Sequence, residues 1–94
     1  MKIAIITGGT KGIGKAIVNK YLQEGCYTII IYSSDDESAK SFRQELDIKY
    51  KDKYETIKAD LSKIEEIEKM CDFVKNNYPK INYLILNAGA TNRN

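Results

Sequence analysis

Four short apolar runs punctuate the chain, and amphipathic stretches separate them. Ile3 to Ile6 is apolar without alternation and rich in β-branched residues, and a glycine cluster from Gly8 to Gly14 follows it at once. A run of that kind reads as a strand buried on both faces, as in a parallel sheet. Ile13, Ile17, Tyr21 and Leu22 then recur at helical spacing, and Gly25 closes the pattern as a C-cap would. Thr28 to Tyr32 is the second buried run. Ala39, Phe42 and Leu46 form a helical stripe behind Ser34, Asp35 and Asp36, which suit a helix N-terminus. Tyr54 to Ala59 gives a weaker strand. Ser62 and Glu65 are spaced as a capping box, and Ile64, Ile67, Cys71 and Val74 make the apolar face of a third helix. Pro79 lies beyond that helix, and Tyr83 to Leu86 is the last apolar run.

Strands that alternate with helices imply right-handed crossovers and a parallel sheet covered on both faces. The predicted fold is α/β, a Rossmann-type doubly wound parallel sheet, for which the strand order 3-2-1-4 is expected. The 94 residues allow one folding unit at most. No internal repeat, low-complexity tract or linker divides them. The sequence stops directly after the fourth strand, where a complete doubly wound fold would continue. A chain truncated at that point is the expectation, with residues 1–94 the N-terminal part of a single domain.

Composition narrows the function classes. The chain is 43% hydrophobic and 30% charged, with a net charge of +2. Basic and acidic residues are interleaved. Even Lys49, Lys51 and Lys53 are interrupted by Asp52 and flanked by Asp47 and Glu55, so no nucleic-acid partner is expected. There is no histidine, which removes a histidine base and histidine metal ligands. Cys26 and Cys71 are too far apart for a redox or zinc motif, and no metal site is expected. No apolar stretch approaches the ~20 residues of a membrane span. The expectation is a cytoplasmic protein with no membrane partner.

The candidate chemistry sits in Thr7-Gly8-Gly9-Thr10-Lys11-Gly12-Ile13-Gly14, between the first strand and the first helix. Gly8 permits a tight turn, Gly12 lets backbone approach a pyrophosphate, and Gly14 allows close helix packing. The free N–H groups and the positive end of the helix dipole would then face an anion. Gly9, Gly14 and Lys15 also fit the spacing of a nucleotide-triphosphatase P-loop. That motif needs a hydroxyl next, for Mg²⁺, and here the residue is Ala16.

The spacing Thr7-Gly8-x-x-x-Gly12-x-Gly14 resembles the cofactor loop of the short-chain dehydrogenase/reductase family. Asp60-Leu61, after the third strand, resembles the family's acidic-plus-apolar pair that holds the adenine ring. Asn87-Ala88-Gly89, after the fourth, resembles its Asn-Asn-Ala-Gly motif, with Leu86 in place of the first Asn. The resemblance covers the whole chain and looks closest to the 3-oxoacyl-carrier-protein reductase branch. It implies a nicotinamide cofactor and an oxidoreductase that interconverts a carbonyl and a secondary alcohol. The substrate would be a small molecule or an acyl-carrier-bound carbonyl, and the complete protein a homo-oligomer. It also implies a catalytic Ser and a Tyr-x-x-x-Lys pair, which lie beyond the Asn-Ala-Gly motif. The spacing Tyr54 to Lys58 is the one such pair in these residues. It falls in a strand, where residues four apart are separated by ~13 Å. No catalytic residue is assigned, and the chain alone is expected to be inactive. The other function class open to it is a non-catalytic nucleotide-binding or interaction fragment of an interrupted gene.

Candidate cofactor contacts are then Gly8, Thr10, Lys11, Gly12, Ile13 and Gly14 in the loop. Asp60, Leu61, Asn87, Ala88 and Gly89 join them at the ends of the later strands, and Ser33 and Ser34 at the end of the second. That last position decides between the two nicotinamide cofactors. A carboxylate there would bind the ribose 2′-hydroxyl, but the chain reads Tyr32-Ser33-Ser34. Lys11 adds a positive charge on the same side, so NADP(H) is expected in preference to NAD(H). Asp35 and Asp36 follow closely, and a strand that ended late would bring one of them to the ribose instead.

Overall fold

The β-branched runs pair as a parallel sheet, and the amphipathic stretches cross over it as helices. The computed structural model describes residues 1–87. In chain order the elements are β1 (Ile3–Thr7), α1 (Gly12–Gln23), β2 (Tyr27–Tyr32), α2 (Asp36–Tyr50), β3 (Tyr54–Lys58), α3 (Ile64–Asn77) and β4 (Tyr83–Leu86). The sheet order is β3-β2-β1-β4 and every pairing is parallel, as the alternating pattern requires. No helix among the described residues is long and apolar enough to cross a membrane.

Register sends alternate strand residues to opposite faces. Ile6 lies beside Ile30 and Ile5 beside Ile29. Ile6 and Ile30 meet Val18, Leu22, Phe42 and Leu46 beneath α1 and α2. Ile3, Ile5, Ile29 and Ile31 meet Ala59 and Val74 on the α3 face. Both faces of β1 and β2 are thereby covered, which is why those strands carry unbroken apolar runs. Each such side chain contributes roughly 1.5–3 kcal/mol on full burial.

The α2 stripe of Ala39, Phe42 and Leu46 is buried as its spacing predicts. Asp35 caps that helix, its carboxylate accepting the Ser38 amide at 2.9 Å. Gly25, at φ +86°, follows the C-cap of α1. Its amide donates to the Leu22 carbonyl, and the Cys26 amide to that of Tyr21. These paired bonds form a Schellman motif, as the sequence pattern suggests.

Three expectations are corrected. In α1 the buried row is Gly14, Val18 and Leu22, whereas Ile13 is 74% exposed. Ile13, Ile17 and Tyr21 instead border an apolar groove next to Ile85 of β4. In α3 the contact row is Met70 and Val74, while Ile64 and Cys71 are exposed. Cys71 borders a second apolar groove, beside Leu84 on the other face of β4. The cause is common to both helices. Their apolar arcs are wider than the sheet beneath them, and β4 has no neighbour on its far side among the described residues.

The third correction is the capping box. Ser62 does not cap α3, because the Asp60 carboxylate accepts both its amide at 3.0 Å and its hydroxyl at 2.6 Å. The helix begins after Lys63 with no side-chain cap.

The Tyr54–Lys58 spacing has the predicted strand geometry. Tyr54 donates to Asp47 near the end of α2, and Lys58 pairs with Asp36 at its beginning. The two side chains are thus pulled to opposite ends of one helix. Burial, and then the bond to Asp47, push the Tyr54 phenol up to about 12.

The row assignment in α1 is testable by equilibrium denaturation. Val18→Ala removes a fully buried side chain and should cost about 2 kcal/mol. Ile13→Ala should stay within about 0.5 kcal/mol. Equal losses at the two positions would contradict the packing.

Candidate functional site

The site is built where β1 runs out between its two neighbours. The Gly8 amide donates to the Ile31 carbonyl at 2.8 Å, continuing the β1–β2 ladder by one residue. The chain then turns with Gly8 at φ +66°, a left-handed conformation that glycine adopts without steric cost. On the other side Asn87 follows β4, and its side-chain amide donates to the Gly8 carbonyl at 3.1 Å. The Thr7 hydroxyl lies 3.4 Å from the Asn87 carbonyl.

Gly14, in the first turn of α1, sits against this junction. A Cβ there would overlap the Gly8 carbonyl oxygen and lie 2.5 Å from the Asn87 side-chain nitrogen. The close packing expected of Gly14 is therefore real, but the partner is the glycine turn and not the strand face. Packing on the strand face falls to Gly9. Its Cβ would meet methyls of Ile30 and Val18 at 2.9 Å. In the sequence, Gly9 falls at an unconstrained position of the family's glycine spacing. Gly12 differs again: its φ is +52° and a Cβ would meet nothing within 4 Å. That open space faces the cleft.

The N-terminus of α1 is bare. Lys11 occupies the N-cap position without a side-chain cap, and no acidic residue lies in the first turn. The first turn of α2 carries Asp36 and Glu37, and that of α3 carries Glu65 and Glu66. The first helical bond of α1 is Lys15 to the Lys11 carbonyl, so the amides of Gly12, Ile13 and Gly14 have no partner within the helix. With the helix dipole behind them, they give this end of α1 a positive partial charge.

Gly12 and Ile13 line a cleft of about 470 Å³ that also takes in Gly8, Thr10 and Lys11. Tyr32, Ser33, Ser34 and Asp35 form its far wall, and Asn87 its side. A second cleft of about 320 Å³ shares Gly8, Tyr32, Ser33 and Asn87 with the first. It is closed by Ala59, Leu61 and Leu86, an apolar end suited to a flat ring. Gly8, Thr10, Lys11, Gly12, Ile13, the two serines, Leu61 and Asn87 thus converge at the carboxyl ends of the strands, whereas Gly14 lines neither cleft. Asp60 does not line either cleft, since its carboxylate is taken up by Ser62. Those bonds hold it below the usual carboxylate range. Ala88 and Gly89 lie outside the described residues.

Two further residues line the wall. Tyr32 ends β2, and nothing in its type singles it out. Asp35 starts α2 as the sequence suggests, and it also reaches the cleft, the alternative that the carboxylates after Ser34 left open. It also pairs with Lys11 across the cleft at 2.6 Å. The Lys11 ammonium, and then the Ser38 bonds, hold the Asp35 carboxyl well below its ordinary range. The positive charge expected at Lys11 is therefore already matched. Lys15, the P-loop candidate, is directed elsewhere: it binds Glu45 at 3.0 Å and lies over the Phe42 ring.

A family model described as short chain dehydrogenase matches residues 2–94. The chain belongs to that family. Among its relatives in the short-chain dehydrogenase family is the 3-oxoacyl-acyl-carrier-protein reductase of Aquifex aeolicus, 36% identical over 96% of this chain and 36% of that protein. A Bacillus thuringiensis protein assigned as a 3-oxoacyl-reductase superposes with a TM-score of 0.85 at 30% identity, over 96% of this chain and 37% of the other. RhlG of Pseudomonas aeruginosa, solved as an active-site complex with NADP, gives a TM-score of 0.80 at 29% identity, over 96% and 35%. The chain spans about a third of the length of these short-chain dehydrogenase relatives.

The glycines of the family loop are separable by substitution. Gly14→Ala forces backbone apart and should cost about 2–4 kcal/mol in a denaturation experiment. Gly12→Ala meets open space and should cost only the strain of its positive φ, about 1–2 kcal/mol. The reverse order would contradict the junction described.

Proposed function

We propose that this chain is the NADP(H)-binding part of a short-chain dehydrogenase/reductase that interconverts a carbonyl and a secondary alcohol, as a 3-oxoacyl-carrier-protein reductase does. The observation that carries the reading is the bare, acid-free N-terminus of α1 facing the cleft at Gly12. An uncapped helix end is unfavourable unless something outside the helix meets its amides, and a pyrophosphate does so.

The residues present fit such a cofactor. The amides of Gly12 and Ile13 would hold the pyrophosphate, and Gly12 leaves room for it. Lys11, Ser33 and Ser34 would meet the adenosine ribose and its 2′-phosphate. Ala59 and Leu61 would flank the adenine, and Asn87 braces the floor through Gly8. The nicotinamide, when bound, supplies hydride transfer to or from the carbonyl carbon. This chain's own contribution is binding and orientation, because its one Tyr-x-x-x-Lys spacing is stretched along β3. The whole protein would act in the cytoplasm on a small or carrier-bound substrate, as a homo-oligomer.

A second reading, a nucleotide-binding fragment without catalysis of its own, is favoured by the same stretched Tyr54–Lys58 pair. Pure 94-residue chain should consume no NADPH when mixed with a β-ketoacyl substrate. Sustained consumption would place catalytic groups within these residues and overturn their assignment as a binding part.

Cofactor choice is checked by dissociation constants for NADP⁺ and NAD⁺ at matched ionic strength. NADP⁺ should bind more tightly, and Lys11→Glu should weaken NADP⁺ by about tenfold or more while leaving NAD⁺ nearly unchanged. Tighter binding of NAD⁺ by the unsubstituted protein would reverse the assignment.

A further inference from the structure

Ala59 and Leu61 line the apolar end of the second cleft, and they are held there by different means. Ala59 is anchored to the sheet. Its amide donates to the Tyr32 carbonyl at 2.8 Å, just past the end of β3. Leu61 lies in the turn between β3 and α3, outside the ladder, and packs on the core cluster that includes Ile31 and Ala59.

The amide, carbonyl and carboxylate of the neighbouring Asp60 are all engaged in that turn. The carbonyl accepts the Lys63 amide at 3.0 Å, and one carboxylate oxygen accepts both the amide and the hydroxyl of Ser62. These bonds close the turn on itself and would move with it. The Asp60 amide reaches further. It donates to the Glu66 carboxylate at 2.7 Å, and Glu66 stands in the first turn of α3. An acid at that place also suits the helix dipole. The bond to Asp60 does more, because it ties the turn to the helix and sets where Leu61 stands over the end of the sheet.

Resting on the reading above that this cleft takes a dinucleotide, we propose that Glu66 is a positioning residue of the end that receives the base. It lines neither of the two clefts and acts through the Asp60 amide on Leu61. A flat ring gains from an apolar wall only at contact distance, since a gap of 0.5–1 Å already forfeits about a quarter to a half of the dispersion attraction. The ladder fixes Ala59, so the fit of the ring is set by Leu61. A hydrogen bond to a carboxylate is short and strong. Without it the turn keeps its internal bonds and loses its fixed distance from α3. The Gly12 and Ile13 amides border the main cleft and not this end, so an anion held by them would feel no change.

The test uses ADP, which carries a base, and inorganic pyrophosphate, which does not. Both are titrated into the 94-residue chain and followed by amide chemical shifts. Glu66→Ala and Glu66→Met lack an acceptor and should weaken ADP about five- to tenfold, with pyrophosphate within about twofold. Glu66→Gln keeps an acceptor oxygen and should hold ADP within about twofold of the unsubstituted chain. Glu65→Ala removes a charge from the same turn of α3 and should move neither probe by more than about twofold. In a Leu61→Ala background the loss from Glu66→Ala should shrink to about twofold or less, since the wall it positions is gone. An undiminished loss in that background, or an equal loss in Glu65→Ala, would overturn the route through Leu61. ADP binding unchanged in both Glu66→Ala and Glu66→Met would overturn the proposal alone. Failure of the unsubstituted chain to bind either probe would remove the dinucleotide reading and the proposal together.

Discussion

The contact between Gly14 and the Gly8 carbonyl fixes the geometry of everything above the sheet. α1 can approach the end of β1 this closely only because position 14 carries no Cβ. That approach leaves room for the Asn87 amide to reach the same carbonyl, which ties the loop after β1 to the segment after β4. Gly9, wedged between Ile30 and Val18, seats the loop on the core from below. No single bond here is strong; a neutral hydrogen bond contributes about 1 kcal/mol net. What holds the loop is the exclusion of alternatives. Side chains at positions 8, 9 or 14 would collide with neighbours, so the backbone has one arrangement in which all contacts are satisfied.

That arrangement decides where charge can be received. Helix N-termini attract anions, and proteins usually answer with a capping side chain or acids in the first turn. α2 follows this rule with Asp35, Asp36 and Glu37, and α3 follows it with Glu65 and Glu66. α1 alone has neither acid nor cap, and it is the helix whose start opens on the main cleft. The start of α1 is thus left open to the cleft, with space at Gly12 and close packing at Gly8, Gly9 and Gly14.

Much of this was legible in the sequence. The strands of the central pair were, because burial on both faces leaves an unbroken β-branched run that few other structures produce. The order 3-2-1-4 followed from the Rossmann-type reading of the alternating pattern, and the α2 stripe and its cap from spacing. The rows of α1 and α3 were not legible. Their apolar residues are arranged to cover more than the sheet beneath them, so the strongest periodic signal lies off the buried row. Ile13 and Ile17 on one face of β4, and Cys71 on the other, border grooves beside that edge strand. Periodicity reports that a side chain is apolar, not which neighbour covers it. The failed capping box has a different origin. Ser62 had a closer competitor in Asp60, two residues away, and short-range side-chain bonds displace regular caps when the geometry allows.

The electrostatics of the cleft were the least legible part, for a reason that reaches beyond this chain. Reading Lys11 as an available cation treats its charge as local. In the folded protein the loop after β1 and the loop after β2 stand side by side, because β1 and β2 are adjacent parallel strands whose carboxyl ends point the same way. Any charge in one loop is then within reach of any charge in the other. Asp35 has to sit where it does to cap α2, and the glycine turn has to carry Lys11 to the same height to expose the start of α1. Their meeting is a consequence of sheet topology and of two helix starts, neither of which concerns cofactor choice. The cation carried by the glycine turn therefore inherits a counter-ion from the scaffold, and its charge is not available to the cleft as a lone lysine's would be.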